Sequence, residues 1–188
     1  MKIENLRKVI GAGVFLMMSV GVSAQEPDNA THIPAGDIMT VFEHLGDTID
    51  QQIRVVDIGD DINVGVGILR RVGNRTEGEA VNAIIHHRVT EVYYVLSGSG
   101  VLVTGGEESN PREFPADNSS VLVLIGPSGS RTTVNGQVQT VSAGDVVVIP
   151  AGVPHAFRHI QDQVTYVSVR IDPDQTLPIG YVHPSLEE

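Results

Sequence analysis

Two stretches of the chain concentrate residues able to do chemistry. The first is Gly78-x5-Ile84-Ile85-His86-x4-Glu91-x6-Gly98, with His87 beside His86 and Tyr93 two residues after Glu91. The second is Gly144-x5-Pro150-x-Gly152-x2-His155-x3-His159. Residues of one parity along a strand share a face, so Ile84 and His86 point the same way. After a turn at Arg88-Val89-Thr90, Glu91 can return its carboxylate towards His86 from the neighbouring strand. Gly144-Asp145 opens a strand that Pro150 closes, and Pro150 to Pro154 delivers His155 to the start of the next. Two imidazoles and one carboxylate suit a divalent metal with open positions. In a metal-free protein the same side chains would serve as polar binding groups or proton shuttles.

The elements that must position these residues read mostly as strands. Residues 34–45 are the exception: Ile38, Met39, Val41, Phe42 and Leu45 recur at helical spacing, with Asp37 near the start and Gly46 at the end. From Gln51 onward, short β-branched runs alternate with turn residues. Candidate strands are 53–58, 62–72, 80–86, 91–97, 100–104, 121–125, 131–134, 137–141, 145–149, 155–160 and 164–171. Asn135-Gly136 makes a two-residue hairpin turn. So many short strands punctuated by Gly and Pro predict an all-β sandwich or barrel. Residues 105–120, polar with two prolines, read as a loop.

The two motifs resemble the signatures of the cupin superfamily, Gly-x5-His-x-His-x3–4-Glu-x6-Gly and Gly-x5-Pro-x-Gly-x2-His-x3-Asn. The second matches except at its last position, where His159 replaces Asn. The first keeps both glycines and the Glu, but Ile84 stands where a His is expected. Taking His87 as the second His would move the leading glycine onto Glu79 and break the match. The resemblance covers about residues 60–171 and implies a double-stranded β-helix, a jelly-roll barrel, with a short N-terminal helix. It also implies one divalent metal ion (zinc, manganese, iron, nickel or copper) held by His86, Glu91 and His155. Ile84 cannot ligate.

Other residues carry weaker signals. His87 has the parity opposite to His86 and is expected to face outward. His159 lies two strand steps from His155, on the order of 13 Å of chain, which suits a buried hydrogen-bonding group better than a fourth ligand. Tyr93 shares the parity of Glu91, so its hydroxyl can reach the cavity, although core packing is the more ordinary role for such a residue. Asn82 shares the parity of Ile84. Of the adjacent pair Arg70 and Arg71, one is expected to point inward, and an inward Arg in a barrel needs an anion. His32, His44 and His183 fall outside the barrel.

Composition narrows the function classes. The 188 residues carry 12 Lys and Arg against 23 Asp and Glu, and no Cys. The absence of Cys excludes disulfides, thiolate metal sites and Cys nucleophiles. Lys2, Arg7 and Lys8, an apolar run from Val9 to Val22 and the small residues Val22-Ser23-Ala24 read as a signal peptide over residues 1–24. Its removal leaves 9 basic and 22 acidic side chains, with Gln25 first, in a periplasmic or secreted protein. Such a surface repels phosphate backbones and anionic lipid, so neither nucleic acid nor, after cleavage, a membrane is expected as partner. The expected layout is residues 25–60 for the helix and an edge strand, 61–171 for the barrel and 172–188 for a surface tail. Residues 51–58 would be an open edge through which a homodimer could form.

The resemblance implies a metal-dependent enzyme on a small organic molecule, with Glu91 and Tyr93 the candidates to move protons. Dioxygenase, lyase and isomerase activities all occur in similar proteins. Metal acquired outside the cytoplasm favours zinc or copper over iron or manganese, which tilts the expectation towards non-redox chemistry. A non-catalytic module holding a small ligand or a metal is the alternative. Turnover that stops with chelator and returns with metal separates the two.

Overall fold

A computed structural model describes residues 29–187. The signal peptide expected over residues 1–24, and Gln25 as the mature start, lie outside the described residues. Helix α1 (Ala35–Glu43) leads into nine strands: β1 (Asp50–Asp57), β2 (Asn63–Arg75), β3 (Val81–His86), β4 (Thr90–Thr104), β5 (Glu107–Glu113), β6 (Ser128–Val134), β7 (Gln137–Ser142), β8 (Val146–Ile149) and β9 (His155–Asp172). All pair antiparallel. One path runs β1-β2-β9-β3-β6-β5, and β4 joins it through β9 while also pairing with β7 and β8. The result is a jelly-roll β-barrel.

Two long strands replace four of the short ones expected. In β4 the ladder shifts around Gly98, whose φ of +75° is open to glycine and whose missing side chain lets the Gln163 carbonyl approach. The strand bends there instead of stopping, so its two halves pair with different neighbours. Tyr93, Tyr166, Phe157, Leu69, Leu102 and Ile160 fill the barrel. The rings of Tyr93 and Tyr166 pack tilted at 42°, with centroids 4.4 Å apart. Helix α1 buries Val41 against Ile53 and Ile68 on the outer face of β1 and β2. Met39, part of the expected stripe, is instead 48% exposed.

Three expectations are corrected. Residues 121–125 form one helical turn rather than a strand, because Asn118 starts it: its Oδ1 accepts from Ser120 N and its carbonyl from Leu122 N. Val121 and Ile125 are then buried on one side of that turn. Part of the expected loop 105–120 is strand β5, exposed along its length and hydrogen-bonded to β6. The edge of β1 is also covered. The C-terminal segment donates from Gly180 N to Val55 O (3.1 Å) and from His183 N to Ile53 O (2.9 Å), while Val55 N donates to Tyr181 O (3.0 Å). Leu177 is buried just before this segment.

Candidate metal centre

His86 ends β3, Glu91 is the second residue of β4 and His155 opens β9. The ladder sets Ile84 of β3 opposite His155, so residues 71 positions apart in the chain meet across one strand step. All three polar side chains are buried. Nε2 of His86 and Nε2 of His155 each lie 3.2 Å from Oε2 of Glu91. Among the described residues this is the one group of three His or acidic side chains whose ligand atoms fall within 4.8 Å of one another.

Proton positions follow from the outer partners. His155 Nδ1 lies 3.1 Å from the carbonyl of Val153, which can only accept, so Nδ1 carries the hydrogen. His86 Nδ1 is 2.8 Å from Ser128 Oγ. The Ser128 hydroxyl spends its single hydrogen on the carbonyls of Gly126 (2.9 Å) and Ile125 (3.1 Å), so towards His86 it accepts. Each Nε2 therefore faces the carboxylate oxygen, offering it a hydrogen when the ring is protonated and leaving a lone pair there when the ring is neutral. Burial lowers the His86 pKa from its ordinary 6.5, against the raising effect of the Glu91 carboxylate. For Glu91, burial raises the carboxyl, but His155, His86 and the Arg170 guanidinium outweigh it and hold it well below the usual carboxylate range.

Such a set fits a cation. An ion about 2.0–2.2 Å from each donor spaces neighbouring donors by about 3.0–3.5 Å, and the two 3.2 Å separations fall in that window. The bonds from Nδ1 to Ser128 and Val153 are of the kind that fix a metal-binding imidazole's orientation.

Tyr93 enters the same centre. Its ring packs in the core, while its hydroxyl donates to Glu91 Oε2 at 2.7 Å and lies 3.2 Å from His155 Nε2. Burial, then the Glu91 charge, pushes the phenol pKa well up, so Tyr93 keeps its proton at neutral pH. The second oxygen of Glu91 accepts from Ser168 Oγ (2.9 Å) and Arg170 Nε (3.3 Å).

Arg170 and Ser168 escape the sequence motifs. Arg170 is fully buried and also binds Gln52 and Asp50. The signal that could have found it is a pair of glycines on one face of β2. Gly65 pairs with Arg170, and a Cβ on Gly67 would lie 2.7 Å from the Arg170 guanidinium. Glycines two apart inside a strand mark a large group passing close by.

The remaining candidates separate cleanly. His87 faces outward and holds Glu113 at 2.6 Å. His159 is half-buried and bonds Asn74 O at 3.1 Å, away from the centre. Of the arginine pair, Arg71 points inward and Arg70 lies over the ring of Phe42. A cavity of about 300 Å³ is lined by Arg71, Asn82, Ile84, Tyr93, Phe157 and His155, among others. Ile84 thus supplies an apolar wall beside the centre. Ile84→His should tighten metal binding by at least about tenfold in a competition titration, since it adds an imidazole on the face of His86. Any activity needing that open position should fall as affinity rises. Unchanged affinity would mean that side chain 84 does not reach the ion.

An antiparallel jelly-roll barrel with a buried His–Glu–His centre at one end of its cavity defines the class of this protein. The family model for cupins matches residues 64–186, and the chain belongs to that family. No curated protein matches it. Among solved structures it is similar to a protein of Bacillus halodurans, with 16% identity over 85% of this chain and 93% of that one, TM-score 0.42. It is also similar to oxalate decarboxylase from Bacillus subtilis, with 15% identity over 66% of this chain and TM-score 0.39. The chain spans only 25% of that protein's length. The DMSP lyase of Ruegeria pomeroyi is 14% identical over 65% of this chain and 46% of its own, TM-score 0.35. At these identities the likeness concerns the fold alone.

Proposed function

We propose that this cupin is an exported metal-dependent enzyme that acts on a small organic molecule in the cavity beside His155. One observation carries the reading: three buried lone-pair donors converge on a point, with both imidazoles turned by their Nδ1 partners to face it. A divalent ion held there would supply Lewis acidity to a substrate oxygen. Glu91, kept anionic, would balance its charge, and Arg170 and Ser168 orient the carboxylate through its other oxygen. Tyr93 holds a proton at the centre and is placed to donate it. Dioxygenase, lyase and isomerase chemistry are all open to such a set. Metal acquired after export, zinc or copper before iron or manganese, tilts the reading towards the two that consume no redox equivalent.

The test is elemental analysis of the protein purified from its native compartment, followed by turnover of candidate substrates with and without chelator. About one zinc, copper, iron, manganese or nickel per chain, with turnover that follows the metal, supports the reading. Ligand binding with no metal dependence and no turnover would make the protein a binding module.

Export and pairing are part of the proposal. Intact-mass measurement of the exported protein should give a chain starting at Gln25, and a product that retains residues 1–20 rejects export. With the β1 edge covered by the tail, a second copy would dock on the outer sheet face, where Tyr94, Leu96, Val146 and Val148 are 41–62% exposed. Tyr94 pairs with Val146 across β4 and β8, so these side chains share one face. Light scattering should report a dimer. A monomer of about 17–18 kDa rejects it.

A further inference from the structure

Arg71 follows Gly65, Gly67 and Leu69 on the inward face of β2. Its Nε donates to the hydroxyl of fully buried Tyr166 at 2.9 Å, which fixes the plane of the guanidinium. That is its one side-chain bond among the described residues. Arg54, Arg75, Arg88, Arg131 and Arg170 each have a carboxylate partner; no described carboxylate lies within 4.0 Å of Arg71. The protein as a whole is strongly acidic, so an inward guanidinium left without a carboxylate is not a consequence of too few acids.

The side chain lines the 300 Å³ cavity that His155, Tyr93 and Ile84 also line. Arg71 is half-buried, and a guanidinium partly withdrawn from water without a counter-charge gains from an anion that meets it. Its planar fork matches a carboxylate with two parallel hydrogen bonds. The rest of the wall is mixed: Ile84, Leu102, Phe114 and Phe157 offer apolar surface, and Asn74, Asn82 and Ser130 offer polar groups. The volume is at the small end for ligand pockets.

We propose that Arg71 is the anchor for the substrate's carboxylate, and that the substrate is a small organic acid with a short apolar body lying against Ile84 and Phe157. The inference rests on the reading of this cavity as the substrate site; it does not require that the centre hold a metal. With the carboxylate on Arg71, the far end of so short an acid lies towards His155 and Tyr93, where the proton-holding hydroxyl is.

The experiment uses the full chain after chelator treatment, at pH 8, where ordinary imidazoles are neutral. Butanoate and butanamide, which share a body and differ in charge, are titrated by calorimetry. The parent should prefer butanoate by about tenfold or more, the worth of charge-assisted hydrogen bonds. Arg71→Gln should bring the ratio near one, while Arg75→Gln, exposed and paired with Glu77, keeps it. Equal binding of the two probes by the parent overturns the proposal, as does an Arg71→Gln protein that keeps the preference. The parent comparison needs no variant, so a misfolded Arg71→Gln does not shield the idea. A preference for butanoate in a protein that never takes up metal would uphold Arg71 and reject the metal centre. Stoichiometric metal with no preference would do the reverse.

Discussion

His86→Ala, Glu91→Ala and His155→Ala should each strip the protein of stoichiometric metal, while His87→Ala and His159→Ala leave it bound. The three donors meet within 4.8 Å and each supplies one atom, so removing any one leaves two. Loss of an outer hydrogen-bond partner alone costs roughly 10–100-fold in metal affinity, and loss of a ligand costs more. Metal content after dialysis, read by mass spectrometry, should fall from about one ion per chain to near zero. His87 is the control for register: it is adjacent in sequence, on the opposite face and tied to Glu113. Were His87→Ala to lose the metal and His86→Ala to keep it, β3 would be out of phase by one residue, which exchanges its faces. Retention by all five variants would end the metal reading.

Arg170→Met should be the most destabilising single change near the site. The guanidinium is fully buried and bonds Glu91, Asp50 and Gln52, so its removal leaves two carboxylates without their cation. Breaking a buried pair from one side typically costs about 3–5 kcal/mol. For a chain of this size that lowers the melting temperature by roughly 10 °C. Denaturant unfolding of the metal-free protein is the measurement, because it separates stability from metal affinity. Arg75→Met, which removes an exposed arginine paired with Glu77, should change the midpoint little. A midpoint for Arg170→Met equal to the parent's would show that the network contributes nothing net.

The run of short strands was legible because its signals are local, and the resemblance of two glycine-anchored motifs to the cupin signatures pointed to the jelly-roll barrel and to His86, Glu91 and His155. Period-two alternation assigns faces within a strand, and Gly and Pro at set offsets mark where strands turn. Helix α1 was legible for the same reason: its apolar stripe recurs within three turns. The helical turn at 121–125 was not. Its β-branched run reads as a strand, and the Asn118 interactions that override it lie outside the run.

The amino-acid sequence by itself thus determined the barrel, the helix before it and a histidine–carboxylate set whose outlier is Ile84. Tertiary structure alone decided which oxygen of Glu91 faces the imidazoles and which faces Arg170. It also decided that Arg71 rather than Arg70 enters the cavity, and that the C-terminal segment closes the β1 edge. Each of these depends on register between strands far apart in the chain: Glu91 lies opposite Arg170, and Gly65 opposite the same arginine. A strand's own pattern gives the face of a side chain but not its depth along the neighbouring strand. That depth is set by bulges such as the one between Val72 and Asn74, and by what the whole core can pack.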